Sequence, residues 1–257
     1  MKEDDSLELH QMQPTTRFSA RAADYARYRP DYPEAAIATV LEDLGPMDRL
    51  VAADVGAGTG ISALALAARG ARVLAVEPNA EMRSQGHRNP RLEWRDGTAE
   101  QTGLGAESVG LVLCAQAFHW FRQPEALAEF HRILLPGGRL ALMWNSRDRS
   151  DPLTRGYVEA IHSVNGEHPA ERRPFDPGVV ERSARFSKPT LVTFAHEQEL
   201  DAPGLIGRAR SASYVPMQSS LFDRLEKLLA ALFVEHRDAR GRVTLKYLTQ
   251  VYRAHRL

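Results

Sequence analysis

Short apolar runs alternate with segments of helical periodicity through the middle of the chain. Short apolar runs predict five strands, at Leu50–Val55, Arg72–Glu77, Leu92–Arg95, Val109–Ala117 and Arg139–Trp144. Helical patterns lie between them, at Ile61–Ala68, Asn79–Gly86 and Pro124–Leu135, and Pro136-Gly137-Gly138 is expected to end the last helix. Apolar strands that alternate with helices predict an α/β fold with a parallel sheet covered on both faces.

The rhythm changes at both ends of this region. Residues 15–44 predict helical pieces that Pro30 and Pro33 interrupt. After Ser146, the pattern predicts helices over residues 150–165 and Leu221–His236 and strands over Leu191–Leu200 and Val243–Tyr252. We interpret the second half as two more strands of the same sheet with an inserted helical cap.

This organisation predicts one domain over residues 1–257. Its parts are an N-terminal lid at 15–48, a ligand-binding core at 49–145, and a region at 146–257 that holds the cap and the last two strands.

Composition narrows the class of protein. The 257 residues include 33 Lys and Arg against 33 Asp and Glu, so the formal net charge is zero, which argues against a broad nucleic-acid-binding surface. The single cysteine, Cys114, excludes an intramolecular disulfide and a Cys-rich zinc site. The charged start does not resemble a signal peptide, and no stretch approaches the ~20 apolar residues of a membrane span. We therefore expect a soluble, cytoplasmic protein.

A glycine-rich turn follows the first predicted strand and opens a predicted helix. It reads Asp54-Val55-Gly56-Ala57-Gly58-Thr59-Gly60. Glycines let backbone amides approach a ligand closely, and a helix start offers unpaired N–H donors. Glu77 ends the next strand 21 residues beyond Gly56, where an acid can accept the hydroxyls of an adenosine ribose.

Two cofactor classes use this arrangement. A dinucleotide site favours G-x-G-x-x-G, whereas here the third glycine comes one place early and Ile61 follows it. Asp54 would repel a pyrophosphate but suits an ammonium group. These residues favour S-adenosylmethionine (SAM) over NAD, and a glycine turn without a ligand is the third possibility.

The segment Val51–Glu77 resembles the nucleotide-binding half of class I SAM-dependent methyltransferases. The resemblance extends through Gly97–Glu100, Ala115–Phe121 and Glu129–Asn145. The opening, with Phe18-Ser19 and Tyr25–Pro30, is similar to small-molecule members of the trans-aconitate methyltransferase-like kind. After Ser146 the similarity is loose.

The resemblance implies a Rossmann-like seven-stranded, mostly parallel sheet of order 3-2-1-4-5-7-6. It also implies SAM as cofactor and a set of binding residues, with the lid residues Tyr25 and Arg29 closing over the ligand. These residues are Tyr25, Arg29, Asp54, Gly56, Ala57, Gly58, Thr59, Gly60, Glu77, Pro78, Met82, Thr98, Ala99, Glu100, Gln116 and Ala117. The chain departs from the family at Thr98 and Gly110, where Asp is common.

Methyl transfer from a sulfonium is an in-line displacement, so the protein mainly supplies alignment and a dry site. His119 is the candidate base, with a usual pKa of about 6.5; alternatively it only packs near the site. Candidate acceptor contacts are Trp120, Trp144, Asn145, Tyr157 and Tyr214. Arg208 and Arg210 would suit an acidic acceptor.

The sequence therefore predicts SAM-dependent methylation of an oxygen, nitrogen or carbon atom of a small molecule. Alternatives are a SAM-binding enzyme of cyclisation or rearrangement, an NAD-dependent oxidoreductase, and a binding protein without turnover. No metal-ligand motif is present, so we expect no metal. We also expect no nucleic-acid or membrane partner and a monomer or homodimer.

Overall fold

The structure, a computed structural model, describes residues 21–167, 175–215 and 220–257. Its sheet has seven strands in the order β3-β2-β1-β4-β5-β7-β6. The strands are β1 (Val51–Val55), β2 (Arg72–Val76), β3 (Leu92–Arg95), β4 (Val109–Ala115), β5 (Leu134–Arg147), β6 (Thr190–Leu200) and β7 (Val243–His255). Strand β7 runs antiparallel to both of its neighbours, and the other pairs are parallel. The predicted fold class and strand order are confirmed.

Nine α-helices lie in the described residues. They are α1 (Ala22–Tyr28), α2 (Glu34–Leu41), α3 (Ile61–Ala68), α4 (Ala80–Ser84), α5 (Gln123–Ile133), α6 (Pro152–Asn165), α7 (Gly178–Arg182), α8 (Ala202–Arg210) and α9 (Ser220–His236). Two short 3₁₀ helices, Met47–Arg49 and Phe118–Trp120, precede β1 and follow β4.

The central strands are apolar on both faces because both faces are covered. Neighbouring residues of β1 divide between two core clusters: Ala52 belongs to one and Ala53 to the other. Strand β4 divides in the same way, with Leu113 in one cluster and Cys114 in the other. This alternation explains the continuous apolar runs of the sequence.

The end of α5 differs from the prediction. The helix ends at Ile133, and Leu134 already pairs with Val109 of β4, so the Pro136-Gly137-Gly138 segment lies inside β5 rather than at the helix end. The pairing register shifts between Val109 and Leu111, which accommodates the extra residues as a bulge.

The cap consists of two insertions, one before and one after β6. Helices α6, α8 and α9 share an apolar cluster with the adjacent ends of β6 and β7. Helix α8 is absent from the sequence prediction, although Asp201 caps it by accepting the N–H of Gly204. The predicted apolar side of α9 is buried at Phe222, Leu225, Leu229 and Phe233 and half-buried at Leu228 and Leu232, whereas Leu221 is 44% exposed.

The N-terminal lid is attached to both the cap and the sheet. Tyr28 packs so closely on Gly207 of α8 that a Cβ there would lie 2.3 Å from the Tyr28 ring. The amide of Gln198 donates to the Tyr28 carbonyl at 2.9 Å, and that of Asn145 to the Asp31 carbonyl at 2.8 Å. Phe18 and Ser19, which the sequence analysis assigned to the lid, lie outside the described residues.

Among the helices of residues 21–167, 175–215 and 220–257, none has the length and apolarity to cross a membrane.

Candidate active site

The glycine loop lies at the carboxyl edge of the sheet, between β1 and α3. Gly56, Gly58 and Gly60 all have positive φ, at 71°, 60° and 82°. The N–H groups of Gly56 and Ala57 donate to the Val76 carbonyl at 2.9 and 3.1 Å, which fixes the loop against β2. A Cβ at Gly56 would lie 2.6 Å from that of Ala117, so a side chain is excluded there.

Glu77 follows β2 and reaches back to the loop. Its Oε2 accepts the N–H of Gly58 and its Oε1 accepts the N–H of Asn79, both at 2.9 Å. Burial raises the pKa of Glu77, while these two N–H donors oppose the rise. A carboxylate oxygen has two acceptor positions, so Glu77 can still accept ligand hydroxyls.

Asp54 is completely buried below the glycine loop. Its Oδ2 accepts the hydroxyl of Ser62 at 2.7 Å, whereas its Oδ1 has no hydrogen-bond partner. Burial raises the pKa of Asp54 to about 7, against the effect of the Ser62 hydrogen bond. A buried carboxylate oxygen without a donor fits a cationic ligand group.

Two lid residues meet the loop. A Cβ at Gly58 would lie 3.6 Å from the Tyr25 ring and 3.4 Å from the Met82 methyl group, so both side chains flank the loop. The Arg29 guanidinium lies 4.6 Å from the centre of the Tyr25 ring and donates to the Ser211 carbonyl at 3.0 Å. The lid therefore brings a positive charge to the rim of the site.

Gln116 marks the boundary between the glycine loop and the neighbouring cavity. It has a positive φ of 59°, which is strained for a residue with a side chain. Its N–H donates to the Met143 carbonyl at 2.8 Å, and its amide donates to the Asn145 carbonyl at 3.3 Å. These bonds to β5 hold the turn after β4 in this conformation.

A cavity of about 390 Å³ lies between the sheet edge and the cap, and Gln116, Tyr25 and Arg29 line it. Aromatic residues form one wall. The ring centres of Trp144 and Phe175 lie 4.7 Å apart in a stacked pair, and those of Phe175 and Tyr252 lie 4.9 Å apart in an edge-to-face pair. Trp120 also lines the cavity. Its size is within the range of small-molecule sites.

His119 lines the same cavity. The indole N–H of Trp144 donates to its Nδ1 at 3.2 Å. An indole nitrogen only donates, so Nδ1 must be the acceptor and the neutral ring carries its proton on Nε2. This tautomer makes Nε2 a hydrogen-bond donor.

Several arginines also line the cavity. Arg147, at the end of β5, donates through both terminal nitrogens to the Tyr214 hydroxyl at 3.2 Å. Arg208 of α8 also lines the cavity although its side chain is almost fully buried. Arg210 does not line it and pairs with Asp24 at 3.4 Å.

Two predicted acceptor contacts, Asn145 and Tyr157, differ in where the structure places them. Asn145 lines the cavity, but its side chain donates to the Asp31 carbonyl and accepts the Thr249 hydroxyl at 2.6 Å. Tyr157 is fully buried and is not among the lining residues. Burial raises the pKa of Tyr157 to about 12.

The remaining predicted cofactor contacts fall into two groups. Thr98 accepts the N–H of Gln101 at 3.2 Å, and Glu100 accepts that of Arg122 at 2.9 Å. None of Pro78, Thr98, Ala99 and Glu100 lines the cavity, whereas Tyr25, Arg29 and Gln116 do. We call the glycine loop and the predicted contacts outside the cavity lining the nucleotide side, and the residues that line the cavity the cavity side.

Sequence reasoning missed several cavity residues. Arg147, Phe175 and Tyr252 are the main ones. Arg147 ends a strand at the ligand edge, and this position was a usable signal. Phe175 lies in the segment 166–190, which is rich in Pro, Arg and Glu and has no hydrophobic periodicity that would mark it.

Comparison with known proteins gives sequence relatives. A family model described as a methyltransferase domain matches residues 53–142. The chain is 34% identical over 223 residues to the uncharacterized methyltransferase Rv3342 of Mycobacterium tuberculosis, covering 83% of this chain and 85% of the relative. It is 37% identical over 151 residues to the uncharacterized methyltransferase C25B8.09 of Schizosaccharomyces pombe, covering 58% of this chain and 60% of that relative. A second S. pombe relative, the uncharacterized methyltransferase-like C25B8.10, is likewise matched over 58% of its length.

Solved structures share the fold. A protein of Anaeromyxobacter dehalogenans described as a "Putative Type II Methyltransferase" superposes with a TM-score of 0.65 at 22% identity, over 89% of this chain and 98% of that one. Geranyl diphosphate methyltransferase in complex with SAM gives a TM-score of 0.50 at 16% identity, over 87% and 85%.

Proposed function

The chain belongs to the class I SAM-dependent methyltransferases, and on this premise we propose that it transfers the methyl group of SAM to a small-molecule acceptor bound in the cavity. The observation that carries the proposal is the cavity of about 390 Å³, whose lining includes Gln116 and Tyr25, the lid residue that flanks the glycine loop at Gly58. Ligands of open α/β sheets bind at this carboxyl edge. The trans-aconitate-like subgroup stays a prediction.

SAM is the cofactor of this family, and the residues on the nucleotide side fit it. The Asp54 Oδ1 atom, buried without a donor, suits the ammonium of the amino-acid portion. The positive-φ glycines let backbone N–H groups approach that portion, and Glu77 would accept the ribose hydroxyls. Tyr25 and Arg29 would cover it from the lid.

When bound, SAM supplies an activated methyl group and leaves as S-adenosylhomocysteine (SAH). The protein's part is then to align the acceptor and to exclude water. The aromatic wall of Trp144, Phe175 and Tyr252 orients the body of the acceptor, and the lid shields the boundary at Gln116.

We assign His119 a hydrogen-bond donor role toward the acceptor. The sequence predicts a base at this position, but a base needs a lone pair on the atom that faces the acceptor. With Nδ1 occupied by the Trp144 N–H, a neutral His119 offers its Nε2 proton instead. A donor orients the acceptor, and an acceptor that is already anionic at neutral pH needs no base.

The two rival enzyme classes differ in measurable ways. For an NAD-dependent oxidoreductase, the buried Asp54 carboxylate would lie below a pyrophosphate, which it repels. For a non-methylating SAM enzyme, the product would carry no added methyl group. The predicted absence of nucleic-acid, metal and membrane partners, the cytoplasmic location, the single domain and the oligomeric state all stay predictions.

The test uses SAM with a deuterated methyl group and a small-molecule extract. The proposal predicts that mass spectrometry finds a product carrying the labelled methyl group, together with SAH. Matched reactions with Asp54→Asn protein should yield neither. SAH without a labelled product, or a rearranged product without the label, would contradict the proposal.

A further inference from the structure

We propose that the acceptor is an oxyanion, a carboxylate or phosphate compound, and that Arg208 and Arg147 bind its negative group. This inference rests on the proposed function and specifies the acceptor class of the same cavity. It follows from the surroundings of one buried arginine.

Arg208 is 4% exposed, yet its hydrogen-bond partners are neutral. Its Nε donates to the Tyr247 hydroxyl and its Nη1 to the Ser211 hydroxyl, both at 3.3 Å. No Asp or Glu within the described ranges forms an ion pair with it. A buried charge without a counter-ion destabilises the folded protein, and binding of an anionic ligand would explain why Arg208 is there.

Arg147 supplies the second cation. The Tyr214 hydroxyl accepts from both of its terminal nitrogens, and the guanidinium lies 5.2 Å from the centre of the Tyr157 ring. The planar group is therefore held in one orientation at the cavity wall. Oriented guanidinium groups are well matched to the two oxygens of a carboxylate or phosphate.

The charge of the whole cavity agrees with this assignment. Its described lining includes Arg29, Arg147, Arg149 and Arg208 but only one carboxylate, the exposed Glu167. Burial lowers the pKa of Arg29, and the positive charge of Arg208 lowers it further. These cations repel one another, and a bound anion would relieve the repulsion.

The two arginines come from two parts of the fold. Arg208 belongs to α8 of the cap, whereas Arg147 ends β5 at the sheet edge, and Gln116 lines the same cavity. An acceptor held by both arginines would therefore lie between the cap and the sheet edge.

The test measures binding of simple probes to SAH-loaded protein. Succinate and inorganic phosphate are titrated separately, with neutral succinamide as the matched control, and binding is followed by calorimetry. We expect saturable binding of succinate, of phosphate or of both, and none of succinamide. Binding of succinate but not phosphate would identify a carboxylate site, and binding of phosphate but not succinate would identify a phosphate site. If neither anion binds, the inference is overturned.

Arg208→Met tests the residue itself. We expect it to weaken anion binding about tenfold or more while SAH binding is unchanged. Arg210→Met is the matched control and should leave anion affinity intact, because Arg210 pairs with Asp24 outside the cavity lining. Unchanged anion affinity in Arg208→Met would overturn the assignment.

Thermal unfolding separates a binding role from a structural one. After Arg208→Met, the Tyr247 hydroxyl still donates to Gln198 and the Ser211 hydroxyl still donates to the residue 208 carbonyl. We therefore expect the melting temperature of the ligand-free variant to rise or stay unchanged. A large fall in melting temperature with intact anion binding would make Arg208 structural.

A titration of wild-type protein with SAH distinguishes failure of the proposed function from failure of the proposed acceptor class. If wild-type protein does not bind SAH, the proposed function fails. If it binds SAH but no oxyanion, only the acceptor class is overturned.

Discussion

The indole N–H of Trp144 donates to Nδ1 of His119 at 3.2 Å. Trp144 lies in β5, and His119 lies in the 3₁₀ helix that follows β4, so the hydrogen bond joins two neighbouring strand ends. It places the proton of neutral His119 on Nε2 and thereby defines what this side chain offers to an acceptor.

His119→Gln tests the donor role. A Gln side chain can present an N–H near the position of Nε2 but is not a base at neutral pH. We therefore expect turnover, measured as formation of SAH and of the methyl-labelled product, to stay within about tenfold of wild type, whereas His119→Phe should lose about 100-fold. If His119→Gln is as inactive as His119→Phe, the base role is favoured and the donor role is wrong.

Asp54 should make cofactor affinity depend on pH. Its pKa of about 7 means that it is largely neutral below this value, and only the ionised form attracts an ammonium group. We expect SAH affinity to fall about tenfold from about pH 8 to about pH 6, with proton release on binding at the lower pH. Calorimetry in buffers of different ionisation enthalpy measures both.

The same residue should lower the stability of the free protein at neutral and alkaline pH. The folded-state pKa of Asp54 lies above the usual aspartate pKa of 3.8, so folding favours the protonated form. Protonated Asp54 makes its full contribution to the free energy of unfolding below pH 3.8, the usual pKa of the group. This contribution is lost as the pH rises through about 7. Asp54→Asn should therefore raise the melting temperature at about pH 8 while abolishing SAH binding. A lower melting temperature at that pH would contradict this reasoning.

Gly58→Asp should abolish SAH binding and leave a folded protein. The backbone at Gly58 has a φ of 60°, and a Cβ there has only ordinary contacts, so the added carboxylate acts mainly through its charge and volume beside Glu77. Gly103→Asp is the matched control, because Gly103 has a φ of 72° and open space around its Cβ position. Retained SAH affinity in Gly58→Asp would remove the loop from the cofactor site.

Cys114 should react with thiol reagents only after unfolding. It is completely buried in β4, and burial raises its pKa well above the usual value of a thiol. Modification by a disulfide reagent should therefore follow the unfolding transition in denaturant. Rapid modification of the native protein would contradict the packing of β4 between β1 and β5.

The sequence predicts the nucleotide side of the molecule well because local signals determine it. Helix α3 and strand β3 have the predicted bounds, and the glycine loop lies between its strand and helix as expected. At Gly56 the requirement for glycine has a long-range cause as well, since Ala117 approaches from the turn after β4.

The cavity side was harder to predict because contacts distant in sequence form it. Tyr157 was expected at the acceptor, but it is fully buried and does not line the cavity, whereas Arg147 from β5 does. Helix α8 has two local start signals, the cap at Asp201 and Pro203 in its first turn, but neither indicates that Arg208 lines the cavity. Which side chains line the cavity depends on how the cap packs on the sheet.

Calorimetric titration of the purified protein with SAH, with NADH titrated in parallel, tests the central claim most directly. The account predicts saturable one-to-one binding of SAH that Asp54→Asn and Gly58→Asp abolish, and no binding of NADH. Binding of NADH without binding of SAH, or SAH affinity that both substitutions leave unchanged, would contradict it.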